Sequence, residues 1–237
     1  MLNINIHNHT TFSDGSHKPE ALVEHGHSEG IEVLGISDHF ATSKVRCPHP
    51  PQLKEYISRL DEIKQQYRSK LDLLLGVEID SSLKRTDFDS FNYSDINLLD
   101  FILIEYVEDP LWRGMKLNQF TQFVKKLTVP VGLAHPDIEL CFHKFDARDV
   151  IAEFEKNNIF IELDTAWHNA RSGKQYYHLA ENFFELLKDT DVALAIGTDT
   201  HDNIDDVSNI KDAQDFIERK GLERNLELFL DLVGLSR

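Results

Sequence analysis

Two histidines one residue apart, His7 and His9 in the run HNHTTFSDGSH, share their spacing with Asp199 and His201 in GTDTHD. Alternate residues of an extended chain point to the same side, so each pair can aim both of its groups into one site. Neutral imidazole nitrogens and carboxylate oxygens suit Zn, Mn or Fe, and a carboxylate such as Glu78 can bridge two ions. Asp14 and Gly15 fit a loop turning back over such a site, with the glycine permitting a backbone conformation closed to other residues. The only cysteines, Cys47 and Cys141, form no CxxC pair, so any metal would be held by nitrogen and oxygen.

These residues need a frame that brings them together. Short β-rich runs are predicted at Leu2–Ile6, Val33–Ser37, Leu73–Val77, Phe101–Ile104, Val131–Ala134, Ile159–Leu163 and Val192–Ile196. Helical patterns fall at Pro19–Ser28, Gln52–Ser69, Lys116–Leu127, Ala147–Asn157 and Gln175–Lys188, then at Ile210–Lys220 and Leu222–Leu232. The segment Ser81–Leu99 has no clear pattern. Nearly continuous apolar strands separated by helices argue for a parallel sheet buried on both faces and closed, or nearly closed, into a barrel. On that frame His7 and His9, Asp38 and His39, Glu78, Glu105, His135, Glu162 and Asp164, and Asp199 and His201 all fall at carboxyl ends of strands. Those ends share one face of a parallel barrel, where active sites are built.

The chain has 237 residues and 41% hydrophobic content, enough for one sizeable core, and no linker, repeat or low-complexity tract divides it. One domain over residues 1–237 is expected. A formal charge of -16 disfavours broad nucleic-acid binding, although a local basic pocket stays open. No run approaches 18 apolar residues and the start lacks a signal-like pattern, so a cytoplasmic protein without membrane partners is expected. His17, His25, His27, His49, His143, His168 and His178 lack ligand-like spacing and are read as solvated or hydrogen-bonded, with His49 and His178 kept as substrate contacts. Ser13 and Ser37 sit in no GxSxG elbow, which argues against a serine nucleophile.

The opening run HNHTTFSDGSHKPEALVEHGHSEGIEVLGISDH, followed in order by GVEID, LAHPD and GTDTHD, resembles the polymerase and histidinol phosphatase (PHP) superfamily. The resemblance spans nearly the whole chain. It implies an α/β fold, a distorted seven-stranded TIM-like barrel, carrying two or three divalent metal ions on its C-terminal face, and chiefly phosphoesterase activity. It also implies the ligand sets: His7, His9, Glu78 and Asp199 for a first ion, Glu78 and His135 for a second, and Asp14, His39 and His201 for a third. The stretch HPPQLKEYISRLDEIKQQYRSKLDLLLGVEID resembles stand-alone histidinol-phosphatase-like members, which makes histidinol phosphate the leading substrate.

Strand four departs from that pattern. DFILIEYVED stands where the family commonly places an imidazole, and Glu105, if it points inward, can replace the missing nitrogen. Burying it alone would cost several kcal/mol, so it needs a partner: the second ion, or a basic residue such as Arg113. A carboxylate there would favour Mn or Fe over Zn. Phosphate oxygens need cationic partners, and Arg46, Arg113, Arg171 and Lys174 lie in loops after strands two, four and six, with Arg171 the foremost. The expected reaction is hydrolysis of a small phosphomonoester by metal-activated water. Two alternatives are a catalytically weak phosphate- or nucleotide-binding protein, disfavoured by the nearly complete ligand set, and a subunit of an RNA-processing complex, disfavoured by acidity.

Overall fold

The structure, a computed structural model, describes residues 1–235, so the last two residues of the expected domain lie outside the described residues. Its strands are β1 (Ile4–Asn5), β2 (Val33–Ile36), β3 (Asp72–Asp80), β4 (Phe101–Glu105), β5 (Val131–Leu133), β6 (Ile159–Asp164), a short hairpin of β7 (Ala170–Arg171) and β8 (Lys174–Gln175), and β9 (Leu194–Gly197). Strands β1 to β6 and β9 form one seven-stranded sheet in that order, and every neighbouring pair is parallel. The backbone N–H groups of Ile6 and His9 donate to the carbonyls of Ile196 and Thr200, each at 2.9 Å, and so tie the first strand to the last. The expected barrel is present.

Helices α1 (Pro19–Ser28), α2 (Leu53–Tyr67), α4 (Leu117–Val124), α6 (Ala147–Lys156), α9 (Lys211–Lys220) and α10 (Glu223–Leu232) wrap it. Their apolar stripes, such as Tyr56, Leu60 and Ile63 of α2, join the strands in one buried core. Pro19 supplies the fixed φ of the first turn of α1, and Gly30 at φ +84 lets the chain turn into β2. The strand residues are buried on both sides, as the continuous apolar runs require.

Three segments differ from the sequence expectation. The pattern Gln175–Lys188 is broken at Ala180 into α7 (Tyr176–Leu179) and α8 (Glu181–Leu187), and the hairpin β7–β8 precedes it. The unassigned stretch after β3 holds α3 (Tyr93–Ile96), capped by the Asn92 side chain, which accepts from the Ser94 N–H. A four-residue helix α5 (Ile138–Cys141) follows β5, with Asp137 capping it through the Leu140 N–H. Among the described residues no helix is long and apolar enough to cross a membrane.

Candidate metal centre

The strand ends converge as the barrel requires. His7 and His9 continue the extended path of β1, Glu78 lies two residues inside the end of β3, Glu105 ends β4, and His39, His135, Asp199 and His201 follow β2, β5 and β9. Glu78 is fully buried at the centre, with carboxylate oxygens 3.7 Å from His7 Nε2, 3.5 Å from His9 Nε2, and 2.9 Å from both His39 Nδ1 and His135 Nε2. Asp199 Oδ1 lies 3.4 Å from His7 Nε2 and 3.1 Å from His9 Nε2. Asp14 reaches in from the loop, its oxygens 3.6 Å from His39 Nε2, 3.4 Å from His201 Nε2 and 3.6 Å from His9 Nδ1.

This donor set fits metal ions. His7 Nε2 and His9 Nε2 face each other at 3.0 Å. Donors bound tetrahedrally at zinc distances lie about 3.3 Å apart, so the facing nitrogens and nearby carboxylate oxygens have the spacing of ligands around one cation. Three buried atoms of the cluster, His39 Nδ1, Glu78 Oε2 and Asp199 Oδ1, lie 2.9 to 3.4 Å from facing donors yet make no well-angled hydrogen bond among the described residues. A buried polar atom without a well-formed bond costs about 1–3 kcal/mol, and a cation at their convergence removes that cost. Among the described residues the groupings able to hold an ion are His7, His9 and Glu78; His9, Asp14, His39 and His201; His39, Glu78 and Glu105; His168, Asp199 and His201; and His7, Glu162 and Asp164.

The surrounding groups hold the donors in place. Glu162 accepts from His7 Nδ1 at 2.8 Å and from the backbone N–H of His135 at 2.6 Å, leaving His7 Nε2 free to ligate. Gly197 makes room for it, since a methyl group there would sit 1.7 Å from Glu162 Oε1. Asp38 is buried and accepts from the N–H and hydroxyl of both Thr10 and Ser13, which fixes the loop that carries Asp14. Gly15 in that loop is demanded by space rather than by conformation. Its φ lies outside the left-handed region, and a Cβ would meet the His9 carbonyl oxygen at 2.2 Å. Of eight non-glycine residues with positive φ among the described residues, only Asn158 is away from the C-terminal face, and His135 and Asp199 are two of the others. Strain of this kind clusters where structure is held for function.

Charge is distributed unevenly. Burial works against ionisation of Glu78, but the His39 and His7 charges and the His135 hydrogen bond outweigh it and hold its carboxyl well below the ordinary range. Asp199 is held low in the same way, against burial, by His7 and by hydrogen bonds from His168 and His9. Burial disfavours charged His135 and His201, yet Glu78 with Asp199 pushes His135 up to about 10, and Asp14 with Asp199 pushes His201 up to about 9. His9 is lowered to about 3 by burial and the His39 charge.

Glu105 points inward, with Oε1 4.0 Å from His39 Nδ1, and its cationic partner is Lys44 rather than Arg113. The Lys44 ammonium donates to both carboxylate oxygens at 3.1 and 3.0 Å and to the Tyr106 hydroxyl at 3.0 Å. Burial and the Glu78 charge nevertheless push Glu105 up to about 7. Arg171 is tied by Asp137, at 2.8 and 3.2 Å, and by Glu139 at 2.7 Å. Arg46, Arg113 and Lys174 are exposed and form no ion pair among the described residues. His178 pairs with Asp212 outside the cluster. His168, read from sequence as a bystander, places Nε2 2.6 Å from Asp199 Oδ2. Its only signal in the sequence was its place four residues beyond β6.

A family model for capsular polysaccharide synthesis proteins, CpsB/CapC, matches residues 3–231. The chain belongs to the CpsB/CapC family. Histidinol phosphate phosphatase from Lactococcus lactis subsp. lactis Il1403, solved with zinc, L-histidinol and phosphate, shares the CpsB/CapC chain's fold with a TM-score of 0.66. Identity is 15% over 93% of this chain and 95% of that one. A chain from the structures of YwqE from Bacillus subtilis and CpsB from Streptococcus pneumoniae, metal-dependent tyrosine phosphatases, gives a TM-score of 0.61 at 16% identity over 100% of this chain and 94% of that one. No curated protein sequence matches this CpsB/CapC chain significantly.

Proposed function

We propose that this CpsB/CapC member is a metal-dependent phosphomonoesterase. The observation that carries the reading is the convergence of His7, His9, His39, His135, Asp14 and His201 on the buried carboxylates of Glu78 and Asp199. His7, His9, Glu78 and Asp199 would hold one ion, Glu78, His135 and Glu105 a second, and Asp14, His39 and His201 a third. When bound, such ions supply Lewis-acid charge and a water acidic enough to react at neutral pH. Glu162 keeps His7 in the ligating tautomer, and Asp38 keeps Asp14 over the site. Lys44, a quarter exposed at the rim, already donates to both Glu105 oxygens and to Tyr106, so an ion that takes Glu105 would free it to meet phosphate oxygens.

No protein nucleophile is called for. Burial raises the pKa of both Cys47 and Cys141, and the Ser13 hydroxyl donates to Asp38 at 2.6 Å. Hydrolysis in heavy-oxygen water should therefore place one solvent oxygen in the released phosphate without a trapped phosphoenzyme. The relatives act on histidinol phosphate or phosphotyrosine, both ring-bearing monoesters, and these are the leading substrates here. The test is turnover of both, beside phosphosugars and nucleotides, by protein stripped with a chelator and reloaded with Mn, Zn or Fe. Activity should vanish and return. Full activity in demetallated protein would contradict the proposal, and metal binding with no turnover of any ester would favour a binding-only role.

A further inference from the structure

The Glu105 carboxylate is claimed by two cations. With donor atoms of His39 and Glu78 it forms a grouping able to hold a metal ion, all within 4.8 Å of one another, and Glu78 Oε1 in turn meets His135 Nε2 at 2.9 Å. The same carboxylate is held by Lys44, whose ammonium donates to Oε1 at 3.1 Å and to Oε2 at 3.0 Å. A third contact runs from that ammonium to the Tyr106 hydroxyl oxygen at 3.0 Å. An ammonium has three N–H bonds, and these three acceptors use them all. While Lys44 holds Glu105 and Tyr106, it has no N–H left for a phosphate oxygen.

Two cations on one buried carboxylate repel each other. Glu105 is 1% exposed, so little water stands between an ion on its oxygens and the ammonium already there. Binding of the second ion through Glu105 therefore drives Lys44 off. The loop allows that exchange without unfolding. The Lys44 backbone N–H is fixed to Thr42 Oγ1 at 3.1 Å, and Thr42 is fully buried, whereas the Lys44 side chain is a quarter exposed on a flexible four-carbon stem. Only the ammonium end has to swing. Once released it is a positive charge beside the cluster that needs acceptors, and phosphate oxygens supply them. Coupled binding is reciprocal, so whatever factor the freed ammonium adds to phosphate affinity is returned to the affinity of the second ion.

We infer that Lys44 is a stand-in for the second metal ion: it occupies Glu105 until the ion displaces it, and the displaced ammonium then holds the phosphoryl group, so that ion and phosphate tighten each other's binding. The inference rests on the phosphomonoesterase reading. It is tested on the full chain with Mn²⁺ isotherms followed by electron paramagnetic resonance, where the spin-coupled signal of neighbouring ions reports the second position, with inorganic phosphate as the probe. Lys44→Gln keeps an N–H donor for Glu105 but carries no charge, and should raise second-ion affinity about tenfold without phosphate. Saturating phosphate should tighten the second ion about tenfold or more in the parent and less than about threefold in Lys44→Gln. In a Glu105→Gln background, which lacks the shared carboxylate, adding Lys44→Gln should change Mn²⁺ affinity less than about twofold. Unchanged or weaker second-ion binding in Lys44→Gln, equal tightening by phosphate in the two proteins, or the full gain from Lys44→Gln without Glu105 would overturn the inference while leaving the phosphomonoesterase reading intact. A parent protein that takes up no Mn²⁺, or takes it up and hydrolyses no monoester, would overturn both.

Discussion

The floor of the site and its cationic rim are built on different principles. On the floor, His7, His9, Glu78 and Asp199 are carried by strands or by the four residues beyond them, and all are buried. Each is fixed by the barrel, so its freedom is spent before any ligand arrives. On the rim, Arg46, Arg113, Arg171 and Lys174 stand on loops or on the two-residue strands β7 and β8, three of them unpaired among the described residues and the fourth held by two carboxylates. Lys44 links floor and rim through Glu105. The contrast teaches that residue type alone marks the floor, whereas a rim residue's use depends on which neighbour already holds it.

The strongest break in that contrast is Asp199→Ala. It removes a donor facing both His7 and His9, and should cut bound metal and lower kcat by about a thousandfold, or ~4 kcal/mol of barrier. Lost rate with unchanged metal content would give Asp199 another role. One layer out, Glu162→Gln leaves every proposed ligand in place yet removes the carboxylate behind His7, so metal affinity should fall about 10–100-fold by competition titration. An unaltered affinity would mean that the barrel alone orients His7.

Protons sharpen the comparison next. His135 near 10 and His201 near 9 both hold protons at neutral pH in the metal-free protein, whereas His9 near 3 is already neutral. Protonated imidazole cannot ligate, so apparent metal affinity should rise with pH between 6 and 8, by about tenfold per unit for each displaced proton. Calorimetry in buffers of different ionisation enthalpy should register proton release, and a pH-independent affinity would count against these histidines as ligands. The smallest effects belong to the rim. Lys44→Met should raise KM about tenfold, whereas Arg171→Met, which loses a guanidinium already bound by Asp137 and Glu139, should change it less than about twofold. The reverse order would return the phosphate to Arg171.

The floor was legible in the sequence because strand alternation and a one-residue skip turn spacing into direction. His7 with His9 and Asp199 with His201 needed only their joint placement at strand ends on one face, whereas alternation along strand four left the direction of Glu105 open. The rim was not legible because its partners come from elements too short to announce themselves. Asp137 and Glu139 flank or begin the four-residue α5, and Arg171 lies in a two-residue arm of a hairpin hidden inside a predicted loop and helix. Lys44 and His168 find Glu105 and Asp199 only across sequence separations of 61 and 31 positions, once the chain folds back. Gly15 was correctly singled out, but its cause, contact with the His9 carbonyl, is a tertiary distance that no local pattern carries.

The most direct test of the account is a crystal structure of the full chain grown with Mn²⁺, with anomalous scattering collected to place the ions. The account predicts anomalous peaks bounded by His7, His9, Glu78 and Asp199, by Glu78, Glu105 and His135, and by Asp14, His39 and His201. A crystal at millimolar Mn²⁺ with no peak among these side chains, or with Mn²⁺ bound only elsewhere, would contradict it.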